Sequence, residues 1–331
     1  AMRVWEGDGG PQAPGTLCFD AADVGEPDLG HIVEDGLLRA SLFRQLADPV
    51  EYLPGQELAD LQPQPGGVTV LLKGGRQLSA SLVIGADGTR SAVRRLAGIE
   101  TTGWSYRQRA LVTHVATSRP HRRVAFQRFL PGGPFAILPM TDADGRHRSA
   151  IVWTDRDDVA PAMMALDDTA FVAELAPRFG DILGTLAMAG PRWSHPLGLS
   201  HAQRYIDQRM ALVGDAAHAI HPIAGQGLNM GIRDIAALAE VVIDARRLGR
   251  DIGAPDILPD YERWRRFDNL VLAVVTDVMN RLFSNDIAPV RVVRDLGLGT
   301  VNRIAPLRRN FMRHALGTVG DLPRLVLGEA L

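Results

Sequence analysis

The chain has 331 residues, of which 46% are hydrophobic and 22% charged, the balance of a soluble globular enzyme with one large or two ordinary domains. This composition excludes disorder, collagen and coiled coil. The formal net charge is −2 and no block of five or six like charges occurs, so nucleic acid is not expected as a partner. A single cysteine, Cys18, and the absence of an apolar run of about 18 residues predict a cytoplasmic protein without a membrane span.

The first half of the chain predicts loops, one helix and a hairpin. Residues 1–30 are rich in Gly, Pro and Asp, which predicts loops with one short strand at 15–19. Helical spacing predicts an amphipathic helix, ending near 48–49, with an apolar face of Leu38, Leu42, Phe43 and Leu46. The runs 68–72 and 77–87, separated by KGGR, predict a hairpin whose second strand ends buried and parallel.

A different pattern begins near residue 103. Strand-like runs broken by PGGP at 131–134 and DADG at 142–145 predict an antiparallel meander, interrupted by a helix around Thr169–Phe179. A buried strand then returns near Met210, and the closing stretch is helical. Its helical spacing predicts one buried face made of Trp264, Phe267, Val271, Val274, Val278 and Leu282.

Residues 211–242 carry the strongest chemical signal: a strand, a loop with three glycines, and a helix that starts near Gly227. Glycines let a backbone approach a ligand closely, and a helix N-terminus favours an anion or a polarised carbonyl. Asp215, at the carboxyl end of the strand, could accept hydrogen bonds from ligand hydroxyls; the alternative is an ordinary helix cap. The helix is predicted to have an apolar face of Leu228, Ile232, Ile235, Ala239 and Val242.

This segment closely resembles the ribityl-binding motif of the flavin-dependent aromatic hydroxylases. LVIGADGTRSAVRRLAG at 82–98 resembles the second fingerprint of the same family, although Asp87–Gly88 alone is also a common turn. Three more segments, at 30–46, 127–139 and 308–329, resemble the branch that hydroxylates polyprenylated phenols in ubiquinone biosynthesis.

The resemblance implies a fold and an activity. The fold is α/β: an incomplete Rossmann-like FAD-binding domain (1–102 and 199–331) with an inserted antiparallel β-sheet substrate domain (103–198) and a C-terminal helical segment. The activity is hydroxylation of the aromatic ring of a polyprenylated phenol, using FAD, NAD(P)H and molecular oxygen through a flavin C4a-hydroperoxide. Other ubiquinone-biosynthesis proteins are implied as partners.

The resemblance also implies roles for single residues. Gly214 and Asp215 would hold the ribityl chain. Pro222, Gly225 and Gly227 would line the flavin ring, and the amides of Leu228 and Asn229 would stabilise negative charge on the reduced ring. Asp87 and Gly88 would lie near the pyrophosphate and the path of the nicotinamide cofactor. Arg39 matches an arginine that touches FAD, with a solvated helix arginine as the alternative.

The substrate is implied to lie under Phe135, Ile137 and Leu138, with Pro222 also in the pocket; hairpin core is the alternative for the first three. No residue stands out as a catalytic base. His218 and His221 are three residues apart without a third ligand in the loop, so no metal is predicted.

The sequence departs from the family in one respect. No G-x-G-x-x-G follows a strand, and MRVWEGDGG resembles an interior stretch of these hydroxylases, so a truncated chain with weakened or absent FAD binding is expected. A hydroxylase of a small soluble phenol and a flavin-free lipid-binding or scaffold subunit remain alternatives. The segment 303–331 carries five arginines against two acidic residues, which fits either a helix on the core or peripheral contact with the inner membrane.

Overall fold

The structure is a computed structural model that describes residues 1–7, 9–13, 16–46, 50–283, 309, 312, 317 and 320–331. In chain order its strands are β1 (Met2–Glu6), β2 (Leu17–Phe19), β3 (Leu58–Gln64), β4 (Gly67–Leu72), β5 (Gln77–Ala80), β6 (Val83–Gly85), β7 (Thr101–Thr117), β8 (Ala125–Leu130), β9 (Gly133–Pro139), β10 (His147–Arg156), β11 (Leu186–Met188), β12 (Trp193–Ala202), β13 (Ile206–Asp207), β14 (Met210–Leu212) and β15 (His218–Ala219). Its α-helices are α1 (Asp35–Gln45), α2 (Ala92–Leu96), α3 (Ala160–Ala165), α4 (Asp168–Phe179), α5 (Gly227–Arg247) and α6 (Leu258–Phe283).

The chain divides into two compact units. Unit 1 contains Ala1–Ala47, Ser105–Leu197 and Met279–Thr318, and unit 2 contains Asp48–Trp104, Gly198–Val278 and Val319–Leu331. The α/β class and the inserted antiparallel sheet are confirmed. The assignment of 1–102, 103–198 and 199–331 to cofactor and substrate domains stays a prediction.

Unit 1 is built on the predicted meander. Its strands follow the order β12-β7-β10-β9-β8-β1-β2, with β11 also paired to β7. The pairs β8–β9, β9–β10, β10–β7 and β11–β7 are antiparallel. Helix α4, predicted at 169–179, covers a core that includes Trp153, Phe171, Leu175 and Phe179. Strand β1, which pairs in parallel with β8, lies in the stretch predicted as loops, and α3 was not predicted.

Unit 2 contains the predicted hairpin, β4 and β5, and the predicted parallel strand β6, which pairs with β14. The run 77–87 is however not one strand, because β5 and β6 belong to different sheets. Between them the carbonyl of Ser81 accepts a hydrogen bond from the buried guanidinium of Arg209 at 3.0 Å, and Arg209 also pairs with Asp251. The break therefore places a backbone acceptor beside a buried cation.

Three predicted apolar helix faces are at most partly in the core, against which Val242 of α5 and Trp264 of α6 pack half-buried. Helix α1 forms as predicted, but none of its residues is buried. In α5, Leu228 is 61% exposed, and Ile232 and Ile235 are exposed as well. In α6, Phe267 is 70% exposed, and Val271, Val274 and Val278 are exposed too. Half of the buried residues of α6 are polar. The polar ones are Arg265, Asn269, Thr276 and Asn280, and the others are Leu258, Tyr261, Ala273 and Phe283.

The closing segment lies mostly outside the described residues, so the predictions for 303–331 and for the helical spacing beyond Phe283 stay predictions. Among the described residues, no helix combines the length and the apolar character that crossing a bilayer requires.

Candidate functional site

The segment from Gly214 to Gly227, here called the glycine loop, leaves the buried strand β14 in unit 2. Gly214 has φ +58° and opens a short 3₁₀ turn at Gly214–Ala216. A Cβ added at Gly231 of α5 would lie 3.2 Å from the Cα of Gly214. Glycine at both positions therefore lets the loop backbone lie directly on the helix.

Asp215 projects from this turn into solvent. Its carboxylate makes no hydrogen bond or ion pair with any described residue, and the 3₁₀ turn has no side-chain cap, so Asp215 is not the cap that the sequence left as an alternative. A carboxylate at the carboxyl end of a buried parallel strand lies where open α/β sheets place ligand contacts. Its oxygens are available to accept hydrogen bonds from the hydroxyls of a ribityl chain.

The glycine loop ends at the start of α5. A short turn at Pro222–Ala224 is followed by Gly225, at φ +62°, and α5 begins at Gly227 as predicted. The preceding residue, Gln226, makes no side-chain cap, and Leu228 and Asn229 in the first turn are exposed. The first N–H groups of a helix have no partner within the helix and carry its positive dipole end, which suits a polarised carbonyl or an anionic ring.

A buried polar network holds the glycine loop against α5 and α6. Asp234 of α5 is fully buried, and its Oδ2 accepts hydrogen bonds from the backbone N–H of Gly214 at 3.1 Å and from Nε2 of His218 at 2.5 Å. Its Oδ1 accepts from Nε of Arg265 at 3.0 Å and from Nδ2 of Asn269 at 2.9 Å. Each carboxylate oxygen thus has two donors, which compensates for its removal from water.

The electrostatics of this network favour the ionised form of Asp234. Burial by itself raises the pKa of this carboxyl, but the hydrogen bond from His218 and the charge of Arg265 outweigh burial and hold the pKa below its ordinary value. Asp234 was not among the predicted site residues. The available signal was an acidic residue that follows Arg233 and precedes the apolar run Ile235–Ala239, and local spacing gives no hint of its partner Arg265 in α6.

The two histidines of the glycine loop are both buried. His218 is hydrogen-bonded to Asp234, and the centroid of its ring lies 5.9 Å from that of the tilted Tyr205 ring. Burial lowers the pKa of His221 to about 4, with Asp277 acting in the opposite direction. Within the part of the chain that the structure describes, no three His, Cys, Asp or Glu side chains come together in a way that could hold a metal ion.

The second fingerprint is joined to the first by an arginine. Asp87 caps α2, accepting from the N–H groups of Ala92 at 2.6 Å and Val93 at 3.2 Å. Arg94 of α2 then donates to the carbonyl of Thr89 at 2.7 Å and to that of Ala216 at 2.6 Å. One guanidinium therefore connects the Asp-Gly turn with the turn that carries Asp215, a link that sequence spacing cannot reveal.

The remaining predicted site residues lie in unit 1. Arg39 is exposed on α1, 3.9 Å from Asp35, so its contact with FAD stays a prediction. On β9, Phe135 and Ile137 are buried in the core beneath α4, whereas Leu138 is half-buried on the opposite face of the strand. Of the three predicted pocket residues on β9, Leu138 is therefore the one left available to a ligand on that face.

Comparison with known proteins identifies the family of the chain. Residues 47–266 match the family model described as FAD binding domain. Ubiquinone hydroxylase UbiL of Rhodospirillum rubrum is 47% identical over 329 residues, which cover 98% of this chain and 75% of that protein. The 3-demethoxyubiquinol 3-hydroxylase of Escherichia coli is 37% identical over 311 residues, covering 91% of this chain and 76% of that protein.

Solved structures support the fold. The p-nitrophenol 4-monooxygenase PnpA from Pseudomonas putida has a TM-score of 0.73 at 19% identity, covering 95% of this chain and 80% of its own. The Diels-Alderase PyrE3 has a TM-score of 0.62 at 23% identity, and this chain spans 57% of its length. Fold and glycine loop together define an FAD-binding α/β protein. The chain belongs to the FAD-dependent aromatic hydroxylases, in their ubiquinone-hydroxylase branch, and is a monooxygenase.

Proposed function

We propose that this protein binds FAD on the glycine loop and hydroxylates the aromatic ring of a polyprenylated phenol, using molecular oxygen and NAD(P)H. The observation that carries the proposal is the exposed carboxylate of Asp215, without a partner among the described residues, set between a buried strand and the start of α5. The similarity to ubiquinone hydroxylases over most of the chain supports the choice of substrate.

The chemistry of the glycine loop suits a flavin. Asp215 offers acceptors for ribityl hydroxyls, and Gly214 and Gly225, both at positive φ, leave backbone without side chains at the surface. Pro222 and Gly227 would line the ring, and the amides of Leu228 and Asn229 would stabilise negative charge on its reduced form. Bound FAD would supply the reduction of oxygen and its transfer to the ring.

The other predicted contacts belong to the same proposal. Asp87 uses its oxygens to cap α2, so the backbone of Gly88, at φ +78°, is the part of that turn proposed to face the pyrophosphate and the nicotinamide path. Residues 103–198 are proposed as the substrate domain, with Leu138 against the ring. Peripheral association with the inner membrane and with other ubiquinone-biosynthesis proteins is proposed because a polyprenylated phenol resides in a bilayer.

The test is a comparison of two substrates on the purified protein. The protein should carry flavin absorbance and should consume NAD(P)H while adding one oxygen atom to a polyprenyl phenol, detected by mass spectrometry. A phenol with the same ring and no prenyl tail should react much more slowly. Equal rates would replace the polyprenyl substrate with a small soluble phenol, and a protein that binds no FAD would overturn the proposal altogether.

A further inference from the structure

Unit 1 contains a half-open cavity that the proposed hydroxylation does not use. Its volume is about 710 Å³, and it lies between the start of the chain, the β7–β8 connection and the end of α4. Four arginines line it, Arg3, Arg119, Arg122 and Arg128, and the buried rings of Trp5 and Phe126 contribute apolar wall. We call it the arginine cavity.

Arginines outnumber carboxylates among the described lining residues of the arginine cavity. Among its described lining residues, Asp181 is the one carboxylate, and it pairs with Arg119 across 3.3 Å. Arg3 donates to the backbone carbonyl of Pro11 at 3.4 Å, and Arg128 donates to that of Gly7 at 2.9 Å. The carbonyl of Pro11 orients the guanidinium of Arg3 without neutralising its charge. The described lining contains four arginines and one carboxylate, so its net formal charge is positive.

Arg122 is the arginine of the cavity whose side chain is available to bind an anion. It lies in a turn closed by the N–H of Val124 donating to the carbonyl of His121 at 3.0 Å, and Nδ1 of His121 accepts from the N–H of Arg123 at 3.1 Å. Both central residues have positive φ, 50° for Arg122 and 59° for Arg123, a conformation that usually takes glycine or asparagine. The exposed Arg122 side chain makes no hydrogen bond or ion pair with any described residue.

We propose that the arginine cavity binds the phosphate group of an anionic phospholipid. Guanidinium groups recognise phosphate through charge-assisted hydrogen bonds, and the apolar wall beside them suits the glycerol and acyl portion that a free phosphate lacks. The inference rests on the proposed function, because a hydroxylase of a polyprenylated phenol must collect its substrate from a bilayer. It assigns the membrane contact to unit 1, independently of the closing segment 303–331.

The experiment measures lipid binding by the flavin-loaded protein, without turnover. Calorimetric titration with short-chain, water-soluble phosphatidic acid is compared with titration by inorganic phosphate. Sedimentation with phosphatidylglycerol-containing vesicles is compared with sedimentation on pure phosphatidylcholine. We expect binding to the anionic lipid and the anionic vesicles, weakened by salt, and much weaker binding of inorganic phosphate.

Three substitutions test the location of the site. Arg122→Gln should weaken binding about fivefold, the effect of one cation near an anionic surface, and Asp181→Asn should strengthen it by a similar factor because it removes a carboxylate from the cavity. Arg146→Gln is the matched control, since Arg146 is also an exposed arginine of unit 1 whose side chain has no partner among the described residues, and it lies outside the cavity. It should leave binding unchanged.

Each contrary result has a definite meaning. Inorganic phosphate binding as tightly as the lipid would overturn the lipid assignment in favour of a soluble phosphate ligand. Equal losses in Arg122→Gln and Arg146→Gln would overturn the site in favour of diffuse charge. Loss only on replacing Arg308, Arg309 and Arg313 would assign the contact to the closing segment instead. A protein without hydroxylase activity that still shows the Arg122 and Asp181 effects would separate this inference from the proposed function.

Discussion

Asp234 of α5 is hydrogen-bonded to the turn that carries Asp215 at two positions, one before Asp215 in the chain and one after it. The same carboxylate oxygen receives the backbone N–H of Gly214 at 3.1 Å and Nε2 of His218 at 2.5 Å, and these two residues flank Asp215 in the chain. Asp234 itself is fully buried behind this turn. Its effect is to fix the backbone from which Asp215 projects, so flavin affinity should depend on a residue buried beneath the site.

Asp234→Ala should destabilise the fold strongly. It leaves the buried guanidinium of Arg265 without its main counterion, and breaking a buried pair costs about 3–5 kcal/mol. Urea denaturation measures the loss. Asp268→Asn is the matched control, because Asp268 contacts the same Arg265 at 3.0 Å but is 41% exposed, so its loss should cost less than about 1 kcal/mol. Equal losses of unfolding free energy at the two positions would show that burial does not make the Asp234–Arg265 pair more costly to break.

Asp215→Ala should leave the stability of the fold unchanged, unlike Asp234→Ala, and should reduce flavin affinity. Its exposed carboxylate contributes no described contact to the fold, whereas removing a charged acceptor from hydrogen-bonded hydroxyls costs roughly 1.5–3 kcal/mol of binding. FAD titration and thermal unfolding separate the two effects. Asp256→Ala, at an exposed carboxylate of the same unit that pairs with Arg250, should leave FAD affinity intact. If Asp215→Ala kept its full flavin content through dialysis, Asp215 would not be a flavin contact.

His221 should make folding stability depend on pH. Its pKa in the folded protein is about 4, below the ordinary histidine value of 6.5, because the ring is buried. Above pH 6.5 the ring is neutral in both states and contributes no pH dependence. As pH falls from 6.5 towards 4, His221 is protonated in the unfolded chain but stays neutral in the folded one. The free energy of unfolding therefore falls by up to about 3 kcal/mol.

His221→Gln should remove this component. The unfolding free energy of the wild type and the variant, measured at pH 7.5 and pH 4.5, should differ in pH dependence by that amount. Identical dependence in the two proteins would show that folding does not lower the pKa of His221.

Local spacing was sufficient to predict the strand, glycine loop and helix around Asp215, because each depends on near neighbours in the chain. It could not predict which face of α5 is buried. Periodicity groups Leu228, Ile232 and Ile235 on one face. The face that packs against the glycine loop instead carries Gly231, where the loop backbone lies too close for a side chain, and Asp234, which is hydrogen-bonded to that backbone. The burial of Asp234 is compensated by donors distant in the sequence, among them His218 and Arg265, which is 31 residues away, and no local pattern contains that information.

Two glycines of α5 should separate packing of the glycine loop from contact with the flavin. A Cβ at Gly231 would press on Gly214 at 3.2 Å, so Gly231→Ala should displace the loop, costing about 1–3 kcal/mol of stability and weakening FAD binding together. A Cβ at Gly227 meets nothing within 4 Å, so Gly227→Ala should leave stability unchanged or slightly improved. If the flavin ring fills that open space, Gly227→Ala should still weaken FAD binding. Chemical denaturation of the flavin-free protein and FAD titration give the two quantities, and unchanged FAD affinity in Gly227→Ala would place the ring away from the start of α5.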